Sequence, residues 1–94
     1  MEKDLKEAAR IGTKWHHPLM LAAGFILEKE SEVAVAKGQN GNIYRTEQLY
    51  RKGEVAVQFF DGFGTYHWTA SVPGKRDVGD YAYKIQDFLT ALPA

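Results

Sequence analysis

Residues 54–72 read EVAVQFFDGFGTYHWTASV, two runs of alternating apolar and polar side chains on either side of Asp61-Gly62-Phe63-Gly64. A period of two marks a half-buried strand, and a short Gly-rich link joins antiparallel neighbours. Pairing the two runs places Val55, Val57 and Phe59 on one face with Tyr66, Trp68 and Ala70. That strongly apolar set is the expected core face. Ala56, Gln58, Phe60, Thr65, His67, Thr69 and Ser71 fall on the opposite one.

Two more strands precede this hairpin, over residues 32–38 and 43–50, joined by Gln39-Asn40-Gly41-Asn42. Asn-Gly between extended runs is a strong hairpin signal, because both residues tolerate positive φ. The link to the third strand has two readings. A two-residue Lys52-Gly53 turn puts Val33, Val35 and Tyr44 on the core face. A three-residue Arg51-Lys52-Gly53 loop flips both strands and buries Arg45 and Glu47, so the hydrophobic pattern favours the first.

The flanks read as helical. Leu5, Ala8, Ile11 and Trp15 recur every three or four residues over 2–14, with acidic residues early and basic ones late. His16-His17-Pro18 breaks that helix. Residues 18–30 are expected as a second helix, with Leu19, Ala22, Ala23, Ile26 and Leu27 on one face; a strand over 24–29 is the rival reading. After the loop at 73–77, Asp80 is placed to cap a helix over 81–92 whose face is Tyr81, Ile85, Phe88, Leu89 and Leu92. The expected fold class is α+β: a four-stranded antiparallel meander (32–72) with N-terminal helical segments (1–30) and a C-terminal helix (80–92) packed on one face, in a single domain spanning 1–94.

Composition narrows the function. Of 94 residues, 12 are Lys or Arg and 12 are Asp or Glu, so formal net charge is zero. With 45% apolar and 26% charged residues the chain is globular in composition. The absence of Cys removes disulfide, thiolate-metal and cysteine-nucleophile chemistry, and fits a reducing cytoplasm as the expected location. The longest apolar run, residues 19–27, falls well short of the ~20 residues of a membrane span, and residues 2–7 mix both charges unlike a signal peptide.

No cofactor, metal or catalytic role is expected. His16 and His17 are adjacent, so their side chains diverge; metal pairs want spacings of two, three or four. They read as chain-break residues, and His67 as a half-exposed strand residue. Gly62-Phe63-Gly64 joins two strands, whereas a dinucleotide loop needs a third glycine and a following helix. No carboxylate pair sits in an apolar run that would raise its pKa.

Binding is the expected function. The apolar run at 19–27 exceeds what one short helix hides in a small domain, and the strand from Glu32 is an unprotected edge. The expected role is a small non-catalytic binding or adaptor protein whose partner is another protein or a second copy in a homodimer. The candidate contact residues are Phe60 and Phe63 as apolar anchors, His67 beside them, and Arg45 and Arg51 to orient an acidic or planar group. The alternative is a nucleic-acid-binding module, since Lys37, Arg45, Arg51 and Lys52 interleave with aromatic residues. Against it stand the missing basic excess and the placement of Tyr44 on the face away from Phe60 and His67. The element order resembles that of double-stranded-RNA-binding domains, but Lys84 is the sole basic residue of the last helix, where that family carries a basic helix start.

Overall fold

The computed structural model describes residues 15–62 and 64–92 of the chain. The helix expected over 2–14 lies outside the described residues. Within them, the chain runs α1 (His16–Ala22), β1 (Ile26–Gly38), β2 (Gly41–Lys52), β3 (Val55–Gly62), β4 (Thr65–Ser71) and β5 (Val78–Tyr81). A 3-10 turn at Ala82–Lys84 then leads into α2 (Ile85–Ala91). The strands form one antiparallel sheet in the order β1-β2-β3-β4-β5. The class is α+β as expected, with five strands in place of four.

The hairpin of residues 55–71 has the expected register, with Val57 opposite Ala70 and Phe59 opposite Trp68. Tyr50, Val57, Phe59, Trp68 and Ala70 supply the sheet's share of the core; Met20, Ala82 and Ile85 come from the helical segments, and Phe25 from the link between α1 and β1. Phe88 of α2 packs on Trp68 with ring centroids 5.0 Å apart. These sheet residues all share one face, so both helices lie on that side and no described helix covers the other. Removing this apolar surface from water is the main stabilising term of the fold.

Helix α1 stops much earlier than the apolar periodicity suggests. Pro18 falls in its first turn, where the missing N–H would have no helical partner anyway. Gly24 then takes φ +93°, and the helix closes there. The Gly24 N–H donates to Leu21 O and the Phe25 N–H to Met20 O, each at 3.0 Å. This double closure satisfies the last carbonyls, and Met20 and Phe25 enter the core together beside it. The Lys52 ammonium adds a bond of 2.8 Å to Ala23 O, a cation at a helix C-terminus. Beyond it the chain is extended, so β1 begins at Ile26 rather than at Glu32. The helix reading of residues 18–30 is therefore corrected beyond Ala22, and the rival strand reading holds from Ile26.

The turn between β2 and β3 is Gly53-Glu54, with Lys52 opposite Val55. It lies one residue beyond the expected Lys52-Gly53 turn but keeps the same facing. Tyr50 and Gln48 meet Val57 and Phe59 on the core side, which leaves Arg45 and Glu47 on the far side. Tyr44 alternates with them onto the expected side but stands 51% exposed there, outside the core cluster. Val33 does not reach that side: it pairs with Arg45 and lies on the far face, while Val35 is the extra residue of a bulge between Ala34 and Ala36. The reason is geometric. The last β2–β3 pair is Thr46 with Asp61, and the β1–β2 ribbon continues alone to Gly38 and Gly41. There the strand's alternation has no described helix to face.

Residues 78–81, where Asp80 was expected to cap a helix starting at Tyr81, are instead the edge strand β5, and the helix expected over 81–92 is α-helical only over Ile85–Ala91. Val78, Gly79, Asp80 and Tyr81 pair with Ala70, Thr69, Trp68 and His67. The approach is close enough that a Cβ on Gly79 would stand 2.8 Å from the Trp68 carbonyl oxygen. Trp68 Nε1 donates to Tyr81 O at 3.0 Å and fastens the end of the strand. Asp80 Oδ1 does accept the Tyr81 N–H at 2.7 Å, yet Tyr81 is exposed at the sheet edge rather than on the buried helix face with Ile85. Among the described residues, no helix is long and apolar enough to cross a membrane.

Candidate contact surface

The far face of the sheet carries one straight row of side chains. Register places Ser31, Glu47, Phe60, His67 and Tyr81 side by side across all five strands. Phe60 and His67 are stacked, with centroids 4.9 Å apart and planes 19° from parallel. Arg45 reaches over from the neighbouring position, its guanidinium carbon 5.0 Å from the Phe60 centroid. The row ends on Tyr81, which stacks on Tyr83 at 6.0 Å and 6°. Cross-strand neighbours on one face lie close enough for rings to pack, and here nearly every position in the row is planar.

The charge of this row is internally balanced. Arg45 Nη2 and Nε both donate to Glu47 Oε2, at 2.7 and 3.1 Å. Glu47 Oε1 accepts from Gln58 Nε2 at 3.0 Å. The guanidinium is thus held over Phe60 by its carboxylate partner, and the surface it presents is amphipathic rather than strongly cationic.

Of the five residues expected to form a site, the structure brings three together: Arg45, Phe60 and His67. Arg51 is not with them. It sits opposite Ala56, six residues along β2 and so about 20 Å away, where it is ion-paired to Glu28 at 2.7 Å. Phe63 lies outside the described residues. Sequence reasoning missed Glu47 and Tyr81. Glu47 was legible as the alternate-position neighbour of Arg45 on β2. Tyr81 was not, because β5 is too short to carry a periodic pattern.

Of the two adjacent histidines, His16 is buried in the core and His17 is half-buried beside it. They open α1, where consecutive side chains point about 100° apart. His16 is fully buried, and its ring lies on Phe59 with centroids 3.9 Å apart. Its Nδ1 hydrogen-bonds the Tyr66 hydroxyl of β4. His17 Nδ1 hydrogen-bonds the Tyr50 hydroxyl of β2 at 2.7 Å. One helical turn is thereby stapled to three strands. Burial, helped by the nearby Asp61 charge, pushes the Tyr66 phenol up to about 12. Burial raises Tyr50 as well, with Glu30 acting in the same direction. Both phenols therefore stay neutral at physiological pH and serve as hydrogen-bonding groups of the core.

Among the described residues, no three His, Asp or Glu side chains are grouped so as to hold a metal ion. Comparison of the chain with protein-family models, with curated proteins and with solved structures found no match in any of the three.

Proposed function

We propose that this chain is a small non-catalytic binding module, and that its contact surface is the sheet face centred on Arg45, Phe60 and His67. The observation that carries this reading is the planar row Glu47–Phe60–His67–Tyr81 on a face that no described helix covers. Large rings pre-stacked on a rigid sheet lose little conformational freedom on binding, which is what interface anchors require. The partner is another protein, a second copy included. Arg45 is already neutralised by Glu47, and the whole chain carries no net charge, so the surface lacks the cationic field that phosphate backbones need. Single-stranded nucleic acid is the second reading, favoured by the stacked rings themselves.

The test pairs Phe60→Ala with Arg45→Ala. Each variant keeps its circular dichroism, because neither residue belongs to the core cluster. Light scattering on the purified protein reads self-association, and capture from the source cell reads other partners. Binding that survives salt but is lost in Phe60→Ala supports the protein reading. Binding that falls steeply with salt points to nucleic acid. Partner binding unchanged in both variants removes this face as the contact surface.

A further inference from the structure

A second candidate site lies around the edge of β4; it shares His67 and Tyr81 with the sheet-face row but takes a small molecule rather than a protein. Tyr81 opposite His67 is the last pair between β4 and β5. Past it β4 continues through Tyr66 and Thr65, while the chain leaving β5 turns away at Ala82. The divergence opens a cleft of about 730 Å³, within the size range of small-molecule sites. Its walls are rings: Trp15, Tyr66, Trp68, Tyr81 and Tyr83. Trp15 is 40% exposed, Tyr81 64% and Tyr83 68%, so these rings are presented to solvent rather than used up in the core. Trp15 meets Tyr66 edge to face, with centroids 5.8 Å apart.

We propose that this cleft binds a small alkylammonium cation of the quaternary type. Aromatic faces carry negative quadrupole potential and attract cations, most strongly when the cation is weakly hydrated. Among the described residues of the lining, Asp80 is the one carboxylate and no Lys or Arg contributes to the wall; His67 is its one imidazole. Asp80 is held in place through its Oδ1 bond to the Tyr81 N–H. Ring faces together with one fixed negative charge complement a diffuse positive charge and disfavour an anion. The protein's own Lys84 already places its ammonium 5.6 Å from the Tyr83 centroid, so the rim of the cleft shows the same preference.

Choline is the probe, and its neutral carbon isostere dimethylbutanol is the control, since the two differ in charge but hardly in shape. Ligand-observed NMR on the full chain is expected to show saturable choline binding at least about tenfold tighter than that of the isostere. Tyr81→Leu and Asp80→Asn are each expected to weaken it about fivefold or more. Tyr83→Leu, on another exposed ring, repeats the test should Tyr81→Leu disturb β5. No saturable choline binding, equal binding of the isostere, or unchanged affinity in all three variants would overturn the proposal.

Discussion

The imidazole of His16 lies flat on the ring of Phe59, 3.9 Å between centroids and 7° from parallel. Tyr50 closes the same cluster edge-on, 5.8 Å from His16 and 5.9 Å from Phe59. The seven-residue α1 is too short to be stable alone. It is held by this stacking and by the tyrosine bonds on either side. Replacing His16 with Ala removes the stacked ring, leaves a cavity and strands the Tyr66 hydroxyl. A loss of about 3 kcal/mol is expected from urea unfolding. His16→Phe keeps the ring and forfeits the bond, and is expected to cost about half as much or less.

His17 and Tyr50 are expected to be energetically coupled. A double-mutant cycle with His17→Ala and Tyr50→Phe should return an interaction of about 1 kcal/mol, as for one partly buried hydrogen bond. Simple additivity of the two single losses would mean that the 2.7 Å contact contributes nothing to stability.

The buried phenols make stability sensitive to alkali. The ordinary phenol value is 10.0, and Tyr66 is raised to about 12. Below pH 10 both folded and unfolded chains keep this proton, and the stabilisation is fully present. Between pH 10 and about 12 the unfolded chain ionises while the folded one does not, so stability falls as pH rises. Tyr50 acts in the same direction. Urea midpoints measured across this window should decline, and Tyr66→Phe should flatten part of the decline. Tyrosinate absorbance should show at least two phenols titrating late.

Gly79→Ala tests the β5 edge. The new Cβ would meet the backbone oxygen of Trp68 at 2.8 Å, an atom that cannot swing aside. A loss of about 1–3 kcal/mol is expected. Amide exchange should accelerate at the Thr69–Gly79 and His67–Tyr81 pairs while the β2–β3 amides stay protected.

The centre of the sheet and the composition of its two faces are encoded locally along the chain. Val57, Phe59, Trp68 and Ala70 alternate so regularly that one hairpin register buries them all, and the same register sets Phe60 beside His67 on the far side. Both features need only a period and a turn, which are local properties. The end of α1 was also locally encoded, in Gly24 flanked by Met20 and Phe25, but an apolar run on both sides masked it.

The remaining features come from contacts between residues distant in the chain. Val78–Tyr81 is a strand because Gly79 can touch the Trp68 carbonyl, and no property of four isolated residues announces that. His16 is buried because Tyr50, Phe59 and Tyr66, on three different strands, converge where one helical turn lands. Arg45 and Arg51 look equivalent along the chain, yet the length of β2 separates them and gives each its own carboxylate. Strand pairing and ring convergence join residues far apart in sequence, and their energies exist only once the whole sheet has closed around its core.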